Sequence, residues 1–305
     1  MEEPLVSICC ICYNQERYIK NALESFVTQQ TNFPYEIVIS DDCSKDLTRS
    51  IIAEYKQRYP KLFRDVSPEK NLGAFANFTY VQKQAKGKYI AICEGDDYWT
   101  DPLKLQKQVD FLESNLDYSM CCHGADVLNE TSLKVECDCE TMSTREYFPD
   151  DAFPNWQIPT ASIVYRRELV QTYKIVRLED FKALDVVLIL QCMSVGRVWG
   201  WAEHMSVYRV NPGGLTRQKE DFIGQLKQCK HYEALEKNFP KINRDYCNRY
   251  IAMIYYTKSR QDKQIGQKVI SLLKAFYRKP SYVIGKIFKV TPKPRTDLFY
   301  RHYHI

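Results

Sequence analysis

Three carboxylates lie within four residues at the end of an apolar run at positions 88–99, KYIAICEGDDYW. The run predicts a strand covered on both faces, with Glu94, Asp96 and Asp97 at its carboxyl end. Like charges this close repel one another, and a hard divalent cation such as Mg²⁺ or Mn²⁺ is the simplest remedy. The alternative interpretation is a solvated acidic turn without a ligand.

A second acidic pair, Asp41 and Asp42, ends another predicted strand that begins at Tyr35. The first predicted strand begins at Leu5 and ends at Tyr13. Strands and helical patterns alternate here, which predicts βαβ units in a mostly parallel sheet. Because right-handed crossovers bring the carboxyl ends of such strands to one edge, both acidic pairs are expected to face one ligand pocket.

The residue types at this edge suit a nucleotide. Tyr13 can cover a base, the Asp41-Asp42 pair can accept from base or ribose, and a metal at Asp97 can meet a pyrophosphate. No glycine-rich phosphate loop is present, so the phosphates would need the metal. Taken alone, Tyr13 could equally pack inside the sheet, and Asn71 with Gly73 could form an ordinary turn.

At these positions the chain resembles the family 2 glycosyltransferases of the GT-A fold. Four segments carry the resemblance in order, VSICCICYNQERYI, ISDDCSKD, NLGAFANF and EGDDYWTDPLKLQKQVDF, over most of residues 5–112. It implies a Rossmann-like, mostly parallel central sheet flanked by helices, a nucleotide-sugar donor, and Mn²⁺ or Mg²⁺ at Asp97. The donor site it implies consists of Cys12, where threonine is usual, Tyr13, Asn14, Glu16, Asp41, Asp42, Asn71, Gly73 and Asp96.

The resemblance continues into the acceptor half through IPTASIVYR, ALDVVLILQ and MSVYRVNPGG. It implies that Asp185, at a helix start, is the general base that takes the proton from the acceptor hydroxyl. Asp185 could instead be a helix N-cap, and Glu179 and Asp180 are rival bases.

Residues near 210 complete the acceptor-side resemblance. Asn211 stands where histidine is common in the family, and unlike histidine it cannot carry a positive charge. A phosphate-closing loop is the other expectation here, with a plain surface loop as the alternative. Its residues are Arg209, Gly213, Gly214 and Arg217.

Composition limits the class of protein. The 305 residues include twelve cysteines, which lie mainly in apolar runs and are expected to be free thiols in a reducing cytoplasm. Cys137 and Cys139 lack a matching CxxC and do not favour a zinc site. The N-terminus is acidic, and no run of about 18 apolar residues predicts a membrane-spanning helix.

The expected organisation is a glycosyltransferase domain at 1–217, divided into a nucleotide-sugar half (1–115) and an acceptor half (116–217). A basic helical region follows at 218–305. Residues 258–305 carry twelve Lys and Arg against two Asp, so the remainder of this +5 chain is acidic. That region could lie on the anionic inner face of the cell membrane or pack on the catalytic domain; the acidic remainder disfavours nucleic acid.

The sequence therefore predicts a metal-dependent, inverting enzyme of the glycosyltransferase class. It would move a sugar from a UDP-linked donor to a hydroxyl of a growing, lipid-linked surface glycan. A nucleotidyltransferase is one rival, although it would need a basic, glycine-rich loop where YNQERY stands. A catalytically silent module that only binds a nucleotide or a cation is the other.

Overall fold

The computed structural model describes residues 3–130, 134–136, 142–153, 155, 157–211 and 222–287. The chain divides into two compact units. The first, here called the sheet unit, comprises residues 1–152, 156–174 and 184–213. The second, the helical unit, comprises residues 153–155, 175–183 and 214–305.

The sheet unit begins with alternating strands and helices. Parallel pairing joins β3 to β2, β2 to β1 and β1 to β4. Apolar side chains on both faces bury these strands, as expected for a parallel sheet between helices. The elements are β1 (Val6–Cys12), α1 (Ile19–Val27), β2 (Tyr35–Asp41), α2 (Thr48–Arg58), β3 (Phe63–Asp65), α3 (Ala74–Lys83) and β4 (Tyr89–Ile92).

The second half of the sheet unit is mixed rather than mostly parallel. Its elements are β5 (Tyr98–Trp99), α4 (Lys104–Ser114), β6 (Tyr118–Asn129), β7 (Lys134–Glu136), β8 (Arg145–Tyr147), α5 (Pro149–Ala152), β9 (Val164–Arg166), α6 (Arg167–Gln171), α7 (Leu184–Val195) and β10 (Arg197–Val210). The sheet order is β3-β2-β1-β4-β9-β6-β10-β5. β9 runs antiparallel to both of its neighbours, because it enters from a short 3₁₀ turn instead of a crossover helix.

Strand β10 is one long strand of 14 residues. It pairs with β6 along its length, and its register shifts between Trp201 and His204. Its N-terminal half pairs with β8 and its C-terminal half with β5. Because β5 follows the acidic loop, this pairing fixes the end of β10 beside Asp96 and Asp97.

The cysteines of the described residues are all free, and nine of those ten are buried. Burial raises the pKa of Cys93 and of Cys121, so these thiols stay protonated at neutral pH. They act as small apolar side chains in the core, as the sequence predicted. Cys137 and Cys139 lie outside the described residues.

The helical unit contains α8 (Phe222–Asn238), α9 (Arg244–Gln261), α10 (Ile265–Arg278) and α11 (Pro280–Ile287). An aromatic cluster forms part of its core: the Tyr232 ring lies 5.5 Å from that of Phe153 and 4.5 Å from that of Tyr250. The predicted C-terminal helices are therefore present. No helix in the described part of the chain is both long and apolar enough to cross a bilayer.

Candidate active site

The carboxyl ends of β1, β2 and β4 meet at one edge of the sheet. Cys12 lies opposite Asp41 in the β1–β2 register, and the backbone N–H of Asp42 donates to the Cys12 carbonyl at 2.9 Å. Tyr13 follows the end of β1 and is 44% exposed. It is therefore not packed within the sheet, and its ring is available to a ligand at this edge.

The loop after β1 is tied to the loop after β2. The Asn14 carboxamide oxygen accepts from the Lys45 backbone N–H at 2.8 Å, and Asn14 has a positive φ of 52°. The Glu16 carboxylate accepts from the Leu47 N–H at 2.9 Å. These contacts hold the two loops together; a role for Asn14 and Glu16 in nucleotide binding stays a prediction.

Asp41 is held from within its own loop. Its carboxylate accepts from the Ser44 N–H at 3.2 Å and from the Ser44 hydroxyl. Ser44 thus orients the carboxylate of Asp41, which is 1% exposed. Helix α2 begins later, at Thr48, whose N–H donates to Asp46 at 3.0 Å.

Asp42 organises the turn that contains Asn71 and Gly73. Its two carboxylate oxygens accept from the N–H groups of Leu72, at 2.7 Å, and Gly73, at 2.9 Å. The Asn71 carboxamide donates to the Asp42 carbonyl at 2.8 Å. Gly73 has a φ of +80°, a backbone conformation that residues other than glycine rarely adopt. The structure thus brings Asp42, Asn71 and Gly73 together, and a role for them in binding a donor stays a prediction.

The acidic loop after β4 lies against the end of β1. The Gly95 N–H donates to the Ile11 carbonyl at 2.9 Å. A Cβ added at Gly95 would lie 2.4 Å from the Gln15 Oε1 atom and 2.8 Å from the Cys12 Cβ. Only glycine allows this close approach. The approach brings the loop carboxylates next to Cys12, at the end of β1.

The carboxylates of this loop repel one another. Burial, followed by the charges of Asp96 and Asp185, raises the pKa of Glu94. Burial, followed by Asp96 and Glu94, raises the pKa of Asp97 well above its usual range. Within the described part of the chain, no group of three His, Cys, Asp or Glu side chains has the geometry of a metal site. The carboxylate oxygens nonetheless suit Mg²⁺ or Mn²⁺, which take only one or two carboxylates from protein.

The contacts of Arg209 with the acidic loop are the main feature that the sequence did not reveal. Its backbone N–H donates to Asp97 Oδ1 at 2.8 Å, and its Nε donates to the Asp96 carbonyl at 2.8 Å. Its guanidinium forms an ion pair with Glu130, and its side chain is only 7% exposed. The sequence suggested a loop that closes over phosphates, but Arg209 belongs to β10 and its charge is compensated within the protein. Gly213, Gly214 and Arg217 lie outside the described residues.

Asn211 and Gln15 also contact the acidic loop. The Asn211 carboxamide donates to Asp96 Oδ2 at 3.0 Å. Hydrogen bonds from Asn211 and Gln15 oppose the rise in the pKa of Asp96 that burial causes. Asn211 thus orients a loop carboxylate with a neutral donor, and no local pattern indicated the contact from Gln15.

Asp185 lies in the first turn of α7. The Thr160 hydroxyl donates to its carboxylate at 3.4 Å. Burial raises the pKa of Asp185, which makes the carboxylate a stronger base than an exposed aspartate. Its charge also contributes, after burial and Asp96, to the raised pKa of Glu94.

The rival bases belong to the helical unit. Asp180 forms an ion pair with Arg177 at 2.9 Å, and Arg177 also lies 3.6 Å from Glu179. Two histidines within β6 and β10 have partners: His204 Nδ1 lies 2.7 Å from Asp126, and His123 Nδ1 lies 2.7 Å from the Gly124 carbonyl. Neither histidine is part of the acidic edge described above.

Several solved structures have a similar fold. S. aureus TarS 1–349 in complex with UDP-GlcNAc matches 91% of this chain and 82% of its own, with a TM-score of 0.64 and 17% identity. The mannosyltransferase PcManGT from Pyrobaculum calidifontis, in complex with GDP-Man and Mn²⁺, matches 99% and 80%, with a TM-score of 0.54 and 15% identity. At these identities the similarity establishes the GT-A fold alone.

The family model described as Glycosyl transferase family 2 matches residues 7–173, more than half of the chain. The chain therefore belongs to glycosyltransferase family 2. An uncharacterized protein of Mycobacterium tuberculosis is 41% identical over 216 residues, which are 69% of this chain and 60% of that protein. The Bacillus subtilis protein TuaG, a candidate teichuronic acid biosynthesis glycosyltransferase, is 28% identical over 71% of this chain and 83% of its own length.

Proposed function

We propose that this protein transfers a sugar from a nucleotide diphosphate donor, a UDP-sugar, to a hydroxyl of a growing surface glycan. The observation that carries the proposal is the sheet edge where the exposed Tyr13 ring, the buried Asp41 and the Glu94–Asp97 loop meet. An aromatic face, oriented carboxylates and a dense negative charge are together suited to a base, a ribose and a metal-bound diphosphate. The UDP complexes of TarS support the donor class.

The proposed donor contacts use the groups at this sheet edge. Tyr13 covers the base, and Asp41 accepts from it, with its carboxylate kept in place by Ser44. Cys12 closes the floor of the site, since its thiol lies 3.9 Å from the Asp41 carboxylate. Asp96, which Asn211 orients, accepts from the ribose. Asp42, with Asn71 and Gly73, holds the neighbouring turn in shape.

Mn²⁺ or Mg²⁺ is the proposed cofactor, held by Asp97. One Asp97 oxygen accepts from the Arg209 N–H, so the metal would use the other oxygen. When bound, the ion would neutralise charge on the departing diphosphate. A cation here would also relieve the repulsion that raises the pKa of Glu94 and Asp97.

Asp185 is the proposed base. Its carboxylate takes the proton from the acceptor hydroxyl as that oxygen attacks the anomeric carbon, and the bond to the diphosphate breaks in the same step. A single in-line displacement inverts the anomeric centre. The Thr160 hydroxyl and the backbone N–H groups of Asp185 and Val186 hold this carboxylate in place.

We further propose that the acceptor is carried on a lipid and that the enzyme works at the inner face of the cell membrane, contacting it through residues 258–305. The basic composition of that region supports this location.

Ligand-induced thermal stabilisation tests the donor proposal. UDP at about 100 times its dissociation constant should add roughly 2.7 kcal/mol of stability. The panel comprises UDP, GDP and their sugars, each with and without Mn²⁺. Stabilisation by UDP that needs Mn²⁺, followed by transfer of the sugar, supports the proposal. Stabilisation by Mn²⁺ alone, with no response to any nucleotide, would contradict it and favour a cation-binding module.

A further inference from the structure

Helix α10 packs within the helical unit through its small residues. Ser271 and Ala275 are buried, whereas Leu273 is 62% exposed and Tyr277 is 85% exposed. Amphipathic helices of globular proteins normally bury their large apolar side chains. The exposed side chains, here called the α10 apolar face, are Ile265, Val269, Ile270, Leu273, Phe276 and Tyr277.

The α10 apolar face is a continuous stripe. At about 100° per residue, its six side chains fall within an arc of about 140°. On the same count, the exposed Lys268 and Lys274 lie just outside the two edges of that arc. The next helix, α11, adds exposed Ile284 and Ile287 while it buries Val283. The stripe is therefore long, apolar and bordered by lysines on both sides.

The charge around this face has one sign. Residues 263–287 contain six Lys and Arg and no Asp or Glu. The charge of Arg278 is compensated by Glu233 of α8, and that of Lys279 by Asp245 of α9. The remaining four, Lys263, Lys268, Lys274 and Lys286, are exposed. An apolar stripe between exposed lysines is complementary to a surface that offers hydrocarbon beneath a layer of negative charge.

We propose that α10 lies in the headgroup layer of an anionic lipid bilayer, with its apolar face towards the acyl chains and Lys268 and Lys274 at the lipid phosphates. The inference deepens the membrane location of the proposed function by naming the surface and the lipid charge. It needs no donor, metal or acceptor. A second copy of the chain is the competing occupant, because six apolar side chains could also meet their counterparts across a dimer axis.

Co-sedimentation of the full chain with vesicles tests the proposal. Vesicles of phosphatidylcholine mixed with phosphatidylglycerol should bind it, and vesicles of phosphatidylcholine alone should bind it at least about tenfold more weakly. Leu273→Glu should weaken binding to the mixed vesicles by at least about tenfold. The matched control is Leu116→Glu in the sheet unit, a leucine that is 74% exposed, and it should bind like wild type. Replacing Lys268 or Lys274 by Gln should cost about fivefold each and reduce the salt dependence.

Three results would overturn the proposal. They are equal binding to neutral and anionic vesicles, wild-type binding by Leu273→Glu, and a salt-stable dimer that Leu273→Glu dissociates without lipid. The stabilisation of Leu273→Glu by UDP is measured as well, because this substitution leaves the sheet unit and its proposed donor site unaltered. The two proposals can therefore fail independently. Loss of vesicle binding with an unchanged UDP response supports the lipid surface. Vesicle binding by a wild-type chain that ignores UDP would contradict the proposed donor and leave the lipid surface supported.

Discussion

Replacing Arg209 with methionine tests how the acidic loop is held. The guanidinium is almost fully buried, ion-paired with Glu130, and 4.8 Å and 5.3 Å from the centres of the Tyr18 and Tyr98 rings. Removing one partner of a buried pair leaves the other charge uncompensated, which costs about 3–5 kcal/mol. For a unit of this size that cost lowers the melting temperature by about 10 °C or more.

The double variant Arg209→Met/Glu130→Met separates charge from packing. Replacing both partners by apolar side chains removes the uncompensated charge, so most of the lost stability should return. The bond from Arg209 Nε to the Asp96 carbonyl is absent in both variants. UDP binding in the presence of Mn²⁺ should therefore stay weakened in the double variant even as its stability recovers.

Calorimetry of unfolding and UDP titration supply the two readouts. Should Arg209→Met fail to fold, Glu130→Gln preserves the shape of the pair and should cost about 1–3 kcal/mol. A melting temperature of Arg209→Met within about 2 °C of wild type would refute the reasoning, because a compensated buried charge cannot be removed at so small a cost.

Three other perturbations have defined outcomes. Gly95→Ala should lose about 1–3 kcal/mol of stability through its clash with Cys12, whereas the control Gly266→Ala, with nothing within 4 Å in α10, should gain up to about 1 kcal/mol in the same denaturant titration. Burial lowers the pKa of Lys104 to about 7, so unfolding takes up a proton between about pH 7 and 10.5. Wild-type stability should therefore rise with pH across that window, and the advantage of Lys104→Met, measured by urea unfolding, should be largest below pH 7 and disappear towards pH 10. Asp97→Asn should abolish the Mn²⁺ dependence of UDP-induced stabilisation, and a chelator should have the same effect on wild type; persistence of that dependence in the variant would move the metal to another residue.

Much of the first half of the fold could be predicted from local pattern. Apolar runs that end in polar residues indicated β1, β2 and β4. The carboxyl ends of parallel strands meet by a general rule, so the proximity of Asp41 to the acidic loop needed no long-range information. A turn at Asn71 and Gly73 was one of two interpretations of that segment, and its hydrogen bonds to Asp42 were not predicted.

What could not be predicted depends on contacts between distant residues. Arg209 and Asp97 are 112 positions apart, and nothing local to either indicates that β10 ends beside the acidic loop. The antiparallel pairing of β9 could not be predicted either, because a strand of three residues has too little sequence pattern to identify it. The orientation of α10 was also hidden, since an amphipathic pattern alone does not say which side of a helix is packed.

The most direct test of the central claim measures Asp185→Asn in two ways. We expect the rate of sugar transfer from a UDP-sugar, measured as UDP release with acceptor present, to fall by a factor of about 10² or more. We also expect the affinity for UDP with Mn²⁺ to stay within about twofold of wild type, because Asp185 acts on the acceptor hydroxyl. Wild-type transfer by the variant, or loss of UDP binding with intact folding, would contradict the account.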